Sequence, residues 1–332
     1  MKKALLTTAV MIVVTLFLFL FNKFFYDEGL SRAQTPHIRE SSTETVPTSQ
    51  NIVQNTKDID EKKQEFNPAQ NWCEEQSLFD VQERVNISNQ LNEWSIQRGE
   101  ITLPILNSSF ENPNAELIAP YIEAPLEDVA FHAKEGNEFA LLVLMQRRDT
   151  PLPLRLKSAK SLVVSGHTSI ALAYLVSMEL AAANQKYEQR EKLDEEVKNH
   201  VLRSLVYVSY GIDKLDASAL RAYLTFVKNS ERQSKRLNPE TALSDSEITK
   251  VYELKSQFIH SIDMEREKRN LPPVGQSEFP DVALRSFETS LAVEYYNFGV
   301  LIEGSRNLKG VGYSFTDKSE CLEKLVNEKL YN

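Results

Sequence analysis

Hydrophobic residues follow two patterns along the chain, one long unbroken run and a later series of helically spaced segments. The run covers residues 4–21 without a charge or a proline. As a helix, which rises about 1.5 Å per residue, it is roughly 27 Å long and matches the ~30 Å hydrocarbon core of a bilayer. Lys23 and the aromatic residues after it are typical of a membrane interface. The pattern predicts a transmembrane helix over residues 4–25.

The flanks of this run favour a retained signal anchor over a cleaved signal peptide. Signal-peptide apolar regions span about 7–15 residues and are followed closely by a cleavage site of small residues. Here the nearest candidates, within residues 29–33, lie beyond bulky and charged residues. A buried helix of a soluble protein is the third alternative. Because Lys2 and Lys3 precede the run, the positive-inside rule places residues 1–3 in the cytoplasm. The expected location is a single-pass inner membrane, with a periplasmic or otherwise extracytoplasmic main domain.

Residues 26–70 are predicted to be a disordered tether. Ser, Thr, Gln, Asn and charged residues dominate this stretch, and its hydrophobic residues are isolated. Such a sequence buries too little apolar surface to offset its conformational entropy. A flexible coil of this length would hold the following domain on the order of 35 Å from the membrane. A short partner-binding segment around Ile52 is the alternative to a pure spacer.

Residues 71–332 are predicted to form an all-α domain of antiparallel helical hairpins, either a bundle or a short irregular α-solenoid. Glycine is scarce, at 10 residues, and hydrophobic residues recur at helical spacing. The predicted boundary residues are Asn137, Asp216 and Ser244 at helix starts and Gly136, Gly166 and Gly211 at helix ends. One long helix is expected from about 187 to 210. The polar stretch 229–243 leaves a division into two subdomains open.

Two of the predicted turns resemble each other, because HAKEGNEFALLVL and LVVSGHTSIALAYL align on Gly136 and Gly166. Each has a helix, a glycine, a polar cap and a second helix of small and apolar residues. The segment AVEYYNFGVLIEG, at residues 292–304, has a similar rhythm. The pattern resembles the Sel1-like and tetratricopeptide-type α-helical repeats over residues 127–228 and 281–304, although the Leu-Gly-x-x-Tyr-x-x-Gly signature of Sel1 is not met. The resemblance implies stacked hairpins that bind a protein or peptide.

Charge and cysteine content narrow the possible partners and the compartment. The formal net charge is −9 and the isoelectric point about 5.3, which argues against binding to nucleic acid or to anionic lipid surfaces. The chain has two cysteines, Cys73 and Cys321. An even count outside the cytoplasm favours a disulfide bond between them. The alternative is two free thiols that never meet.

No motif for nucleophilic catalysis, phosphate binding or dinucleotide binding occurs in the sequence. His132-x-x-Glu135 and His260-x-x-Asp263 each offer two metal ligands, whereas metal sites normally need three or four. The tripeptide at residues 165–167, Ser-Gly-His, is interpreted as a helix turn. We therefore predict no catalytic residue, no metal and no cofactor.

The most distinctive polar residues in the helical region are tyrosines and arginines. These residue types commonly anchor protein interfaces, and several fall on the inner helices of the hairpins that resemble repeats. The candidate partner-binding face is Arg203, Tyr207, Arg221 and Tyr223. The alternative is that the tyrosines pack in the core with their hydroxyl groups at its rim.

These observations favour a binding protein over an enzyme. The expected function is a membrane-anchored extracytoplasmic helical scaffold or adaptor that binds another envelope protein or a peptide. The alternatives are a periplasmic enzyme that acts on a cell-envelope polymer through a carboxylate pair, and a purely structural role. Two carboxyl groups facing each other across a deep pocket would favour the enzyme.

Overall fold

The folded C-terminal part of the chain is described by a computed structural model. The described residues are 80–103, 114–233, 235–276, 279–311 and 319–331. They all belong to one compact unit, Glu65–Asn332. The predicted transmembrane helix, the predicted tether and Cys73 lie outside the described residues. Within those ranges, no helix is both long and apolar enough to cross a membrane.

The described chain is all-α, as predicted, and its assigned elements are helices without a β-strand. The helices are α1 (Val81–Gln97), α2 (Ala115–Ile122), α3 (Leu126–Lys134), α4 (Glu138–Gln146), α5 (Leu152–Ser165), α6 (Ser169–Arg190), α7 (Glu195–Asp213), α8 (Ser218–Glu231), α9 (Pro239–Ala242), α10 (Asp245–Ile248), α11 (Lys250–Lys268), α12 (Val282–Gly304), α13 (Arg306–Gly310) and α14 (Glu320–Tyr331), with a 3₁₀ turn at Val274–Gln276.

Several helix boundaries lie where local chemistry predicts them. Gly136 and Gly166 follow α3 and α5 with φ angles of 90° and 102°, a left-handed conformation that glycine adopts at little cost. The Asn137 side chain accepts a hydrogen bond from the backbone N–H of Ala140 and begins α4. Ser244 begins α10 through a capping box. These turns join antiparallel neighbours, as α3 packs on α4 and α4 on α5.

The predicted boundary between α6 and α7 was wrong. The sequence from the alanines after Leu180 to Arg190 contains no strong helix breaker, so α6 continues through it. The chain leaves the helix at Glu191, whose φ is +49°. Asp194 then caps α7 by accepting a hydrogen bond from the Val197 N–H at 3.0 Å.

The prediction that Gly211 ends a helix was also wrong, because α7 continues to Asp213. A Cβ atom at Gly211 would lie 3.1 Å from the carbonyl oxygen of Asp216 and 3.4 Å from a methyl group of Leu172. This glycine therefore allows the turn after α7 and the side of α6 to approach the helix closely. It is required by packing rather than by a backbone turn.

Helix α6 lies at the centre of the core. It packs against α7 on one side and α8 on another, and the α4–α5 hairpin joins it through α5. Its inward residues, including Leu172, Leu175 and Leu180, are fully buried. Helix α11 packs on α7 and α5, while α12 packs on α1, α8 and α14. The ends of α1, α5, α6 and α7 thus meet at one end of the core.

Candidate functional site

A pocket of about 420 Å³ opens where these helix ends meet. Its lining comes from the end of α1, the start of α4, the α5–α6 turn, the second half of α7, α11 and the segment after it. We call it the donor pocket and define it by five lining residues whose side chains contain N–H groups. These residues are Trp94, Arg98, His167, Lys214 and Arg266.

Arg98, directly after α1, connects the pocket to the core. Its side chain is almost fully buried and donates to Glu100 at 2.5 Å, to the carbonyl oxygen of Leu215 at 3.3 Å and to Ser286 at 3.3 Å. The guanidinium also lies over the Trp94 ring, 5.3 Å from its centroid. Arg98 therefore holds the end of α1 against the α7–α8 turn and α12.

A buried carboxylate, Asp216, lies behind Arg98 in the α7–α8 turn. It accepts hydrogen bonds from the Thr168 hydroxyl at 2.8 Å and from the Ser218 N–H at 2.9 Å. Its closest distance to the Arg98 guanidinium is 4.0 Å. Asp216 was predicted to begin α8, and it does contact the start of that helix. Its bond to Thr168 also ties the start of α6 to the α7–α8 turn.

Two further cations, Lys214 and Arg266, line the pocket. The Lys214 ammonium donates to the carbonyl oxygen of Val274 at 2.9 Å and lies 5.7 Å from the centroid of the Phe279 ring. Burial and the neighbouring Arg266 lower the pKa of Lys214. Arg266 donates to the backbone carbonyl oxygens of Pro272 at 2.5 Å and Val164 at 2.7 Å. In the described residues, neither cation has a carboxylate within 4.0 Å.

His167 follows the glycine that ends α5 and contributes an imidazole to the pocket. Its Nε2 lies 3.6 Å from the Glu138 carboxylate at the start of α4. Burial lowers the pKa of His167, and Glu138 opposes that shift without reversing it. The imidazole is therefore neutral at pH 7 and has a donor or acceptor function according to its tautomer.

Three buried nitrogen atoms of the pocket residues have no hydrogen-bond partner within the described part of the chain. They are Trp94 Nε1, Arg98 Nε and His167 Nδ1. Buried polar atoms in folded proteins are nearly always paired, since leaving one unpaired costs roughly 1–3 kcal/mol. Indole and guanidinium nitrogens can only donate. Two of the three unpartnered nitrogens are therefore donors, the role of His167 Nδ1 depends on its tautomer, and all three belong to residues that line one pocket.

The two tyrosines of the predicted partner-binding face are core residues. Tyr223 is fully buried; its hydroxyl donates to Glu240 at 2.7 Å and accepts from Asn307 Nδ2 at 2.7 Å. Tyr207 is 6% exposed, packs edge-to-face on Phe258, and burial raises its pKa to about 12. Both tyrosines therefore pack in the core, as in the alternative interpretation, although the Tyr223 hydroxyl is inside the core rather than at its rim.

The two arginines of that predicted face are exposed, and each forms an ion pair with a different helix. Arg203 on α7 pairs with Glu179 of α6 at 3.0 Å, and Arg221 on α8 pairs with Glu294 of α12 at 2.5 Å. Neither lines the donor pocket. The structure thus does not bring the four predicted residues together as one exposed site.

Glu294, the partner of Arg221, makes the stability of the fold depend on pH. Its side chain is fully buried, and its Oε2 has no partner among the described residues. Burial raises the pKa of Glu294 above 4.5, against the opposing effect of Arg221. The folded protein therefore holds this proton more tightly than the unfolded chain. Its stabilising contribution is complete below about pH 4.5 and is lost as the pH rises through the raised pKa.

We expect Glu294→Gln to remove this loss, since an amide does not ionise. The free energy of unfolding of the variant, measured by urea titration, should become larger relative to that of the native chain as the pH rises from 5 to 8. Glu303→Gln, an exposed position on the same helix, is the matched control and should leave the pH dependence unchanged. An identical pH dependence in the native chain and the Glu294 variant would contradict the assignment.

The described residues also bear on the metal and carboxylate sites considered from the sequence. The described residues contain no group of three or more His, Cys, Asp or Glu side chains placed to hold a metal ion. The described lining of the donor pocket includes one carboxylate, Glu138. A pair of carboxylates facing each other is therefore not assembled in this pocket.

Sequence reasoning missed every residue of the donor pocket. The helical spacing of hydrophobic residues makes Trp94 an ordinary position of a predicted helix, and His167 was interpreted as part of a helix turn. The sequence offered one signal for this site, the dipeptide Arg98-Gly99 directly after a helix. A Cβ atom at Gly99 would lie 3.1 Å from the Cβ of His167, so the two segments touch closely there.

Comparison of the chain with protein-family models, with curated proteins and with solved structures found no match in any of the three.

Proposed function

We propose that this chain is a membrane-anchored, extracytoplasmic helical adaptor that binds another envelope protein or a peptide, and that part of this partner inserts into the donor pocket. The observation that carries the proposal is the set of spare donors beside aromatic walls in one pocket. Predominantly apolar pockets with a few polar groups are the usual form of a specific binding site. The hydrophobic run at residues 4–21 and the polar tether support the membrane location.

Photo-crosslinking in native membranes tests this proposal on the full-length chain. We place benzoylphenylalanine at Phe139, which lines the pocket and is half-buried, and separately at Tyr296, an exposed residue outside the lining. A discrete crosslinked partner is expected from position 139 alone. Lys214→Met in the same chain should reduce this crosslink about tenfold, as expected for the loss of one charge-assisted hydrogen bond.

Lys228→Met is the matched control for this experiment. Lys228, like Lys214, donates to a backbone carbonyl oxygen and lies over an aromatic ring, but it is outside the pocket lining. The crosslink should persist in this variant. If positions 139 and 296 capture the same proteins, or if both lysine variants act alike, the pocket is not the partner site.

A periplasmic enzyme that acts on a cell-envelope polymer is the second candidate. The close approach of His167 and Glu138 favours it, because a neutral imidazole beside a carboxylate is suited to proton transfer. The expectation of a carboxylate pair gains no support from the pocket lining. Glu138→Gln separates the two functions: it should abolish polymer turnover by an enzyme but leave the crosslink from position 139 within about twofold for an adaptor, since Glu138 donates nothing to a ligand.

A further inference from the structure

We infer that the donor pocket binds a carboxylate joined to an apolar group, as found at the C-terminal residue of a polypeptide. The inference names the chemistry of the ligand, and it rests on the proposed adaptor function only for the source of that ligand. It is carried by three features of the pocket, namely its spare donors, its charge and its aromatic walls.

The donors require a ligand that accepts hydrogen bonds. The Lys214 ammonium has three N–H groups, and one of them is used by the Val274 carbonyl oxygen. The indole N–H of Trp94 and the Nε–H of Arg98 are unpartnered within the described ranges. An ammonium group, an indole N–H and a guanidinium N–H all donate hydrogen bonds and do not accept them. A ligand rich in acceptor oxygens would match the remaining N–H groups of Lys214, whereas a second cation would not.

The charges of the pocket favour an anionic acceptor over a neutral one. The charge of Arg98 is already balanced by Glu100 and by Asp216. Lys214 and Arg266, in contrast, donate to backbone carbonyl oxygens. A partly desolvated cation without a counter-ion gains strongly from an anion placed beside it.

The nearest acidic residues do not supply that anion. Asp263 accepts a hydrogen bond from the Val274 N–H at 2.7 Å, and Asp213 pairs with Lys255 at 2.7 Å. Both raise the pKa of Lys214, yet burial and Arg266 outweigh them. Glu138, the carboxylate of the described lining, lies 3.6 Å from His167 Nε2. The side of the pocket at Lys214 and Arg266 therefore has an excess of positive charge.

The walls of the pocket favour a ligand whose carboxylate carries an apolar group. Trp94 and Phe279 meet edge-to-face with their ring centroids 6.2 Å apart, and Phe139 and Tyr210 also line the space. Aromatic walls contribute hydrophobic burial that a free phosphate or sulfate could not use. A volume of about 420 Å³ is near the lower end of small-molecule pockets. It admits the last one or two residues of a chain rather than a folded domain.

The indole N–H of Trp94 provides a direct test, because the chain has only two tryptophans. We label the full-length chain in lipid nanodiscs with ¹⁵N-tryptophan and assign the Trp94 signal with Trp94→Phe. The probes are acetylated tetrapeptides ending in Phe, Leu or Ala with a free carboxylate, the same peptides as C-terminal amides, and N-acetylphenylalanine. At least one free-carboxylate peptide should shift the Trp94 indole signal saturably, with its amide about tenfold weaker or more.

Two lysine variants complete the test. Lys214→Met should weaken binding of the free-carboxylate peptide about tenfold, whereas Lys228→Met should leave it unchanged.

Equal binding of peptide acid and amide, or the absence of a Trp94 shift with every probe, overturns the carboxylate assignment. If N-acetylphenylalanine binds and the peptides do not, the carboxylate assignment holds and the peptide-binding function fails. If amides bind as well as acids and the crosslink from position 139 persists, the adaptor function holds and the carboxylate assignment fails.

Discussion

Replacing Asp216 with alanine should lower the free energy of unfolding by about 3–5 kcal/mol, the usual effect of removing one member of a buried charged pair. The Asp216 side chain is 1% exposed. Its loss leaves the Thr168 hydroxyl and the Ser218 N–H without their acceptor. It also leaves the buried Arg98 guanidinium with one fewer counter-charge. Urea unfolding of the purified full-length chain, followed by circular dichroism, measures the change.

Two variants make this prediction specific. Asp213→Ala is the matched control, because Asp213 is a half-exposed aspartate at the end of α7, three residues before Asp216, and pairs with Lys255; its loss should cost at most about 1 kcal/mol. Asp216→Asn keeps an acceptor oxygen and should fall between the two. Equal losses for Asp213→Ala and Asp216→Ala would mean that the buried network does not stabilise the α6–α8 junction.

The parts of the fold that the sequence predicted are those set by neighbours in the chain. Gly136 and Gly166 end helices because their φ angles are positive, and Asn137 begins α4 with its own side chain. Each of these features depends on a few consecutive residues. The all-α class follows for the same reason, since helical spacing and capping are local properties.

The errors in the predicted fold have long-range causes. Gly211 has the residue type of a helix terminus, yet the closest neighbours of its missing Cβ are Asp216, Ala219 and Leu172. Only the packed structure shows that the glycine is needed for close approach. The end of α6 at Glu191 has no glycine or proline to mark it, and the Asp194 cap decides the boundary. The polar segment around Asp194 contains other residues that could cap a helix, so the sequence alone does not single out Asp194.

The donor pocket could not be predicted, because its residues come from distant parts of the sequence. Trp94, His167, Lys214 and Arg266 lie on four different elements. Each alone has an ordinary structural explanation, as a core aromatic, a turn residue or a surface cation. Tyr207 and Tyr223 were predicted to be interface anchors because of their residue type, but both sit in apolar helical stretches, and that setting is what buries them. Apolar surroundings in sequence predict burial better than they predict a binding face.

Arg98 lines the pocket and also contacts Glu100, Leu215 and Asp216 in the core. Through this residue, ligand binding is connected to the stability of the fold. Its Nη atoms serve the fold through Glu100 and Leu215, while its Nε is without a partner in the described residues. Arg98 also lines the pocket, so a bound ligand would contact the residue that holds the end of α1 in place. Ligand binding should therefore raise the free energy of unfolding, in proportion to the logarithm of ligand concentration above its dissociation constant.

Reduction of a disulfide bond between Cys73 and Cys321 should destabilise the domain by up to about 5 kcal/mol, the loop-closure value for a bond that encloses nearly the whole domain. Cys321 lies buried at the start of α14 and is not a free thiol in the structure. Its predicted partner, Cys73, is the only other cysteine in the chain and lies outside the described residues. Urea unfolding with and without reductant measures the effect.

The double variant Cys73→Ser with Cys321→Ser is the control, because its unfolding midpoint should not respond to reductant. Non-reducing peptide mapping of protein from native membranes should recover the two cysteines in one linked peptide pair. Such bonds form and persist in oxidising compartments, so the result also bears on the topology proposed from residues 4–21. If both thiols react with an alkylating agent in the folded, unreduced protein, the predicted disulfide bond is wrong. The same result would count against the proposed extracytoplasmic location.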